Sequence, residues 1–283
     1  MKLKDVLKYS ENKLKDGKVA EYKSDARFLV NDFLKGDLSS IIITPSKDID
    51  ISELDKALDE RINGVPCQYI TKSVQFMSLE FEVSKDVLIP RQDTESLVET
   101  ILKTRPSNPS VLDICTGSGC IAVSLAKYIN CSVVRGCDIS GKALEIAKKN
   151  AKSNGVCVEF YQDDILTSEN YDFKYDIVVS NPPYIETEVV SKLDSVVKDY
   201  EPHIALDGGE DGLKFYVKIA QYAKGILNEG GMLALEIGHN QAKAVHRILT
   251  ENGYSDIKLI QDIGGNDRVM TAIFKKQQKS VDK

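Results

Sequence analysis

The 283-residue chain has no tryptophan, only three histidines and no Cys-x-x-Cys pair. Its six cysteines (Cys67, Cys115, Cys120, Cys131, Cys137, Cys157) lie well upstream of His203, His239 and His246. That spacing supports neither a zinc site nor a disulfide framework, so no metal is expected. The thiols read as buried or incidental groups in a reducing compartment. No stretch approaches the ~18–20 apolar residues of a membrane span. The charged opening MKLKDVLKYSENK lacks the apolar segment of a signal peptide, and a cytoplasmic protein with no membrane partner is expected. Internal repeats and low-complexity segments are missing too. Basic residues are outnumbered, 37 against 43 acidic, for a net charge of −6. This argues against broad nonspecific nucleic-acid binding, which needs many phosphate-neutralising side chains, although a local basic groove stays open. What remains is a chain with 42% hydrophobic residues, enough for one or two domains with a real core. Wholesale disorder, collagen, coiled coil and small disulfide scaffolds are excluded.

The first sixty or so residues read as helices. Leu3, Val6, Leu7 and Leu14 share a face over 2–16, with Gly17 as a stop. Ala26, Leu29, Val30, Phe33 and Leu34 do the same over 18–35, before Gly36. Ser52 with Asp55 resembles a capping box that opens a third helix, closed by Gly64. The period then changes. Met77, Leu79, Phe81 and Val83 alternate with polar residues, as in one arm of a hairpin. A loop is expected over 105–110. Beyond it, strands over 111–114, 133–137, 176–180 and 232–237 alternate with helices over 121–129, 142–153 and 213–227, with Ser140 as a possible N-cap. A further strand is expected near 158–161. This order predicts an α/β fold with a mostly parallel sheet covered on both faces. Strands over 257–260 and 269–274 predict a terminal antiparallel hairpin.

The first strand-to-helix junction reads Asp113-Ile114-Cys115-Thr116-Gly117-Ser118-Gly119. Glycines allow a sharp turn and a close backbone approach to a ligand, and the helix start offers unpaired N–H groups. Asp138 ends the next strand, where a carboxylate can accept two hydrogen bonds from ribose hydroxyls. The constellation suits an adenosine-containing cofactor. Gly117-x-Gly119-x-x-Ala122 also satisfies a relaxed dinucleotide pattern, so a nicotinamide enzyme stays open. Asp163 and Asp164 follow the third strand. Asp164 either helps orient an adenine-facing loop or is a solvated turn acid.

The strand over 176–180 runs into Asn181-Pro182-Pro183-Tyr184, at the edge of the same crevice. Two prolines stiffen the turn and remove two N–H donors. The Asn181 side-chain oxygen and the Pro182 carbonyl remain as acceptors, and Tyr184 adds a flat surface. A planar amide or amino nitrogen is a poor nucleophile because its lone pair is delocalised. Two acceptors that bind both its hydrogens can hold it for attack, with positioning and electrostatics supplying the rate.

These motifs resemble class I S-adenosylmethionine-dependent methyltransferases that modify planar nitrogens. Three further stretches, 88–95 (LIPRQDTE), 200–213 (YEPHIALDGGEDGL) and 264–268 (GGNDR), extend the resemblance to the peptide chain release factor glutamine methyltransferases. It spans nearly the whole chain. It implies a Rossmann-like methyltransferase sheet with a terminal antiparallel hairpin, preceded by a small all-α domain. The implied boundaries are a helical substrate-docking domain over 1–72, a hairpin linker over 73–88 and a methyltransferase domain over 89–283. The implied activity is methylation of the side-chain amide nitrogen of the Gln in the Gly-Gly-Gln motif of class I release factors. S-adenosylmethionine is the donor and S-adenosylhomocysteine the product, and the working form is a monomer without direct nucleic-acid contact. Cofactor contacts carried over fall on Cys115, Thr116, Gly117, Ser118, Gly119, Asp138, Ile165 and Asn181. The amide is held by Asn181 and Pro182, with Pro183 and Tyr184 lining the substrate site.

The chain departs from the family pattern in places. Cys115 replaces a more usual glycine, which is harmless if its φ is negative. Gln92-Asp93 replaces Pro-Glu. Ile165 replaces a common aromatic, so apolar packing takes the place of adenine stacking. Among alternatives, an adenine-N6 or guanine-N2 nucleic-acid methyltransferase uses a similar tetrad. It needs a basic binding surface, yet residues 1–60 hold eleven basic and thirteen acidic side chains. A ribosomal-protein glutamine methyltransferase shares fold and tetrad. A nicotinamide oxidoreductase leaves the tetrad without a role. A noncatalytic adaptor would rest on the helical region alone. Arg91, Arg268 and Glu201 read either as structural ion-pair partners or as functional groups.

Overall fold

The computed structural model describes residues 1–104, 107–169 and 171–275. Residues 105 and 106 of the expected loop, and 276–283 of the expected methyltransferase domain, lie outside the described residues. The chain forms two compact units, Met1–Ser73 with Asp194–Tyr200, and Val74–Leu193 with Glu201–Lys283.

The smaller unit is helical. A 3-10 turn (Leu3–Asp5) leads into α1 (Val6–Asp16), followed by α2 (Tyr22–Phe33), α3 (Ser40–Ile43), α4 (Ser52–Ile62) and α5 (Cys67–Thr71). Leu3, Val6, Leu14, Leu29, Val30, Leu54 and Leu58 form its buried core, each contributing about 1.5–3 kcal/mol of transfer free energy. The expected capping box is absent. Ser52 is already helical, and its N–H and hydroxyl donate to Asp50. Asp55 instead accepts from the Tyr9 hydroxyl and from Lys13 Nζ at 2.8 Å, joining α4 to α1. Arg61 and Asp25 pair at 2.8 Å with both side chains largely buried, joining α4 to α2.

The larger unit opens with a hairpin, β1 (Ser73–Phe76) and β2 (Leu79–Glu82). Met77 and Ser78 make its two-residue turn with φ of 51° and 59°, the mirror-image turn whose twist matches a hairpin. Met77 therefore sits in the turn and outside the expected strand. Phe76 and Phe81 are buried with Leu97, Val98 and Ile101. Then come α6 (Gln92–Lys103), β3 (Ser110–Ile114), α7 (Cys120–Tyr128), β4 (Val133–Asp138), α8 (Gly141–Ser153), β5 (Glu159–Gln162), β6 (Tyr175–Ser180) and α9 (Thr187–Val190). The short α10 (Ser195–Lys198) belongs to the helical unit. The chain continues through α11 (Lys214–Ile226), β7 (Leu227–Glu236), α12 (Ala242–Glu251), β8 (Tyr254–Gln261) and β9 (Asp267–Phe274). The Ser140 hydroxyl caps α8 by accepting from Ala143 N–H at 3.2 Å, as its position before the helix predicts.

The sheet order is β5-β4-β3-β6-β7-β9-β8. The first five strands are parallel, and β9 runs antiparallel to both its neighbours. Every residue of β3 is buried, as expected for a central strand with helices on both faces. The strand order reverses between β3 and β6, where the carboxyl ends diverge into a crevice. The glycine turn follows β3 and the tetrad follows β6, so the fold brings both to this point.

Candidate active site at the strand ends

After β3 the backbone turns through Cys115, Thr116 and Gly117 into α7. Cys115 has φ of 59°. The condition for a harmless replacement of glycine is thus not met, because an L-residue here is strained by roughly 1–2 kcal/mol. Burial, with Asp138 and Cys137 nearby, raises the Cys115 thiol well above its ordinary pKa, so it is a neutral wall group. Gly119 has φ of 80°, and a Cβ there would stand 3.0 Å from the Ala147 side chain.

The turn is tied down from below. Asp113 Oδ2 accepts from the Thr116 hydroxyl at 2.6 Å and from Ala122 N–H at 3.2 Å. Its Oδ1 is buried without a hydrogen-bond partner. Burial pushes this carboxyl up to about 7, against the pull of Thr116 and the Ala122 N–H. Asn150 donates to the Ser118 carbonyl at 2.9 Å and to the Glu82 carbonyl at 3.0 Å, and it accepts from Glu82 N–H at 2.7 Å. The hairpin and the turn are thereby fastened through one side chain of α8. Thr116 and Ser118 are almost fully buried, with the Thr116 hydroxyl and the Ser118 carbonyl engaged within the protein.

Asp138, at the end of β4, accepts from Gly117 N–H and from Ser140 N–H, each at 2.9 Å. Burial raises its pKa, opposed by these N–H groups and that of Ile139. Its carboxylate faces a cavity of about 560 Å³, within the usual range for a cofactor or ligand site. Cys115, Gly117, Asp138, Asp164, Ile165 and Pro183 all border this cavity. Ile139, Ala143 and Leu166 add apolar wall, and His203–Ala205, Asp207, Lys214 and Phe215 close another side. Lys214 and Phe215 carry no sequence signal that marks them. Asp164 accepts from Leu166 N–H at 3.0 Å, as a turn acid does, while bordering the cavity. Ile165 is buried in the core.

The tetrad is anchored at its start by Ser180, whose hydroxyl donates to the Ile114 carbonyl at 2.6 Å. Asn181 is half-buried and Pro182 and Pro183 are buried. Asn181 Nδ2 donates to Thr94 Oγ1 at 3.2 Å. The Tyr184 hydroxyl donates to Glu236 Oε1 at 3.3 Å, and the Tyr184 carbonyl accepts from Gln241 Nε2 at 2.9 Å. Its ring packs against the core cluster and is only partly open as a flat surface. Gly212 lies so close that a Cβ there would come within 2.4 Å of the Tyr184 carbonyl oxygen.

The three outlying sequence stretches converge here. Arg91 pairs with the buried Glu201, and Arg268 Nη2 lies 3.1 Å from both Asp93 and Asp262. Asp93, although one methylene shorter than the usual Glu, still reaches its arginine. Glu236, at the end of β7, is almost fully buried. Burial pushes it up to about 7, against the pull of the Thr94 hydroxyl, the Arg268 charge and the Tyr184 hydroxyl. Thr94, Asn150, Glu236 and Gln241 were not candidates on sequence grounds. Thr94 lies within the 88–95 stretch without being singled out there, Gln241 lacks any local signature, and Glu236 reads simply as the polar end of a strand. Among the described residues no His, Cys, Asp or Glu group is arranged to hold a metal ion, and no helix is long and apolar enough to cross a membrane.

Residues 5–71 match the PrmC N-terminal domain family, and residues 91–209 match the methyltransferase small domain family. A release factor glutamine methyltransferase of Clostridium acetobutylicum is 40% identical over 287 aligned positions, spanning 96% of this chain and 99% of that one. One of Clostridium botulinum is 38% identical over 280 positions, with 96% and 99% covered. A crystal structure of a methyltransferase from Pyrococcus furiosus shares the fold with a TM-score of 0.56 at 22% identity, covering 74% of this chain and 94% of that one. With such identity along almost its entire length, the chain belongs to the release factor glutamine methyltransferase family.

Proposed function

We propose that this chain transfers a methyl group from S-adenosylmethionine to the side-chain amide nitrogen of the Gln in the Gly-Gly-Gln motif of class I peptide chain release factors. The observation that carries the reading is the Asn181 carboxamide. Its nitrogen end donates to Thr94, which leaves its oxygen as an acceptor two residues before Pro183, and Pro183 borders the same cavity as Asp138. Family membership favours this reading over nucleic-acid, ribosomal-protein and nicotinamide alternatives.

The residues fit the donor. Asp138 suits a ribose diol, since each carboxylate oxygen keeps a lone pair after its backbone contact. Ile139, Ile165 and Leu166 suit adenine by apolar packing, and the turn at Cys115 and Gly117 suits the methionine part. S-adenosylmethionine supplies a methyl carbon activated by its sulfonium. Asn181 Oδ1 and the Pro182 carbonyl accept the two hydrogens of the incoming carboxamide and hold its nitrogen in line. Two fixed acceptors favour the pyramidal nitrogen of the transition state over the planar ground state, which is differential binding of the kind that raises rate. The nitrogen would gain a bond to the methyl carbon as the sulfur–methyl bond breaks, S-adenosylhomocysteine would leave with that electron pair, and the nitrogen would release one proton to solvent. Burial keeps Cys115 protonated, so it does not compete for the methyl group.

In this reading the helical region over 1–72 docks the release factor, the hairpin over 73–88 links it to the methyltransferase domain over 89–283, and the enzyme works as a cytoplasmic monomer without direct nucleic-acid contact. The test supplies a labelled methyl donor with a release factor and with its variant carrying Ala in place of the Gly-Gly-Gln glutamine. Mass spectrometry should place the methyl group on that Gln and find none on the variant. Label confined to nucleic acid or ribosomal protein would overturn the reading.

A further inference from the structure

The segment Gly-Gly-Gln carries a single side chain, and that carboxamide is taken up by the transfer itself. An enzyme acting on this segment can recognise the rest of it only through the main chain. Main-chain carbonyls need N–H donors, and Pro182 and Pro183 supply none of their own. The activity proposed above, on which this inference rests, therefore calls for a donor side chain near the tetrad that is not spent within the protein.

Most donors there are spent. Asn181 Nδ2 gives to Thr94 and the Tyr184 hydroxyl to Glu236. Gln241 Nε2 gives to the carbonyls of Tyr184 and Gly212. Arg268 gives Nε and Nη2 to Asp262 and pairs with Asp93, and its side chain is only 11% exposed. Lys214, on the cavity wall, is exposed, but a lysine ammonium is a rotatable point charge without a preset direction. Arg91 differs from all of these. Its Nη2 donates to Glu201 Oε1, which engages one of five N–H groups, and its side chain is 42% exposed.

The surroundings of Arg91 tie it to the site. It is the N-cap residue of α6, and its carbonyl accepts from the N–H of Thr94 at 3.1 Å. Thr94 in turn holds Asn181. Leu88, three residues before Arg91, and His203, two residues after Glu201, both border the cavity, so the ion pair fastens two segments of its wall. The Arg91 charge also reaches the tetrad. Burial and the Glu236 charge raise the Tyr184 hydroxyl, and Arg268 and Arg91 pull against them. The Glu201 side chain is only 1% exposed, and its Oε2 has no hydrogen-bond partner. A carboxylate so placed is costly unless its charge is paired. Arg91 pairs it through one corner of a rigid fork, and the rest of the fork stays uncommitted among the described residues.

We infer that Arg91, braced by Glu201, is a substrate-binding residue that donates to a main-chain carbonyl of the Gly-Gly-Gln segment. The contact is equally strong before and during transfer, so it acts on binding and leaves the chemical step alone.

Arg91→Ala would strand the buried Glu201, so the experiment uses two milder changes. Arg91→Lys keeps a charge towards Glu201 and loses the planar fork. Arg91→Gln combined with Glu201→Gln removes both charges together. Each is compared with the parent in affinity for a release factor and for its variant with Ala in place of the Gly-Gly-Gln glutamine. Single-turnover methylation at saturating release factor, S-adenosylmethionine titration and thermal melting accompany these. Both enzymes should bind the release factor about 10- to 100-fold more weakly, the scale of one lost charge-assisted hydrogen bond. The Ala-bearing release factor should lose affinity by the same factor, since the contact is to main chain. The saturated transfer rate and the donor affinity should stay within about threefold of the parent. A merely structural role would move melting temperature and donor affinity instead. A loss confined to the Gln-bearing substrate, or a fall in the saturated rate with binding intact, would overturn the inference. So would release-factor affinity within about twofold of the parent in either folded variant. Should one variant fail to fold, the other decides alone. If the parent enzyme itself fails to methylate the release factor, the proposed activity fails instead.

Discussion

The two walls of the crevice are built in different ways. On the β3–β4 side the decisive contacts are backbone to carboxylate. Gly117 and Ser140 give their N–H groups to Asp138, and Ala122 gives its own to Asp113. On the β6–β7 side they include bonds from side chain to side chain, Asn181 to Thr94 and Tyr184 to Glu236. A wall made of main chain tolerates changes of residue type, and Cys115 in a glycine's place is an example. A wall made of side chains has a direction of donation that one substitution can reverse. The first suits an invariant donor molecule, and the second suits a nucleophile that must be held one way round.

The largest expected effect lies on the second wall. Asn181→Ala should lower methyl transfer by about 10³-fold or more, because it deletes one of the two acceptors proposed to act at the transition state. Calorimetric titration should find donor affinity nearly unchanged. Equal loss of both would erase the distinction between the walls.

Each wall also holds one buried acid, and the next effect is on stability. Asp113 and Glu236 are both pushed up to about 7 by burial, from ordinary values of 3.8 and 4.5. Between those limits the folded chain holds protons that the unfolded chain has lost, so stability falls as pH rises from about 4 to about 7. Asp113→Asn and Glu236→Gln should each flatten that slope and recover roughly 2–4 kcal/mol at higher pH, as read by urea denaturation across pH. The two variants should part in function, with Asp113→Asn weakening the donor site and Glu236→Gln slowing transfer. Identical functional profiles would break the comparison.

A smaller effect is expected from Asp138→Ala, which removes the proposed ribose acceptor and unties Gly117. Donor affinity should weaken about 10- to 100-fold, in line with loss of one or two charge-assisted hydrogen bonds. An unchanged dissociation constant would remove Asp138 from the donor wall. The smallest effect is that of Cys115→Gly. Relief of the positive φ should stabilise the protein by about 1 kcal/mol after the extra unfolded-state entropy of glycine is counted. Differential scanning calorimetry should register a rise of about 1–3 °C.

The same contrast explains what the sequence made legible. Helical periodicity, glycine stops and alternating strands and helices are local signals, and they located nearly every element of the sheet. The Ser140 cap was readable because its partner, Ala143, is three residues away. The Ser52–Asp55 cap was misread because Asp55 is claimed by Tyr9 and Lys13 from another helix. The glycine turn and Asp138 were visible because backbone motifs leave compositional traces. The positive φ of Cys115 left none. The contacts of Thr94 and Glu236 stayed invisible because their partners, Asn181 and Tyr184, lie 87 and 52 positions away, and no local rule spans those distances.

The inserted position of β9 bears on the timing of maturation. The final described strand lies between β7 and β8, both earlier in the chain, and it carries Arg268, the partner of Asp93. During synthesis, β8 has no strand partner until β9 begins to emerge at Asp267, and the Asp93 ion pair waits for residue 268. The ion pair between Arg268 and Asp93 is therefore among the last contacts of the described residues that synthesis can supply.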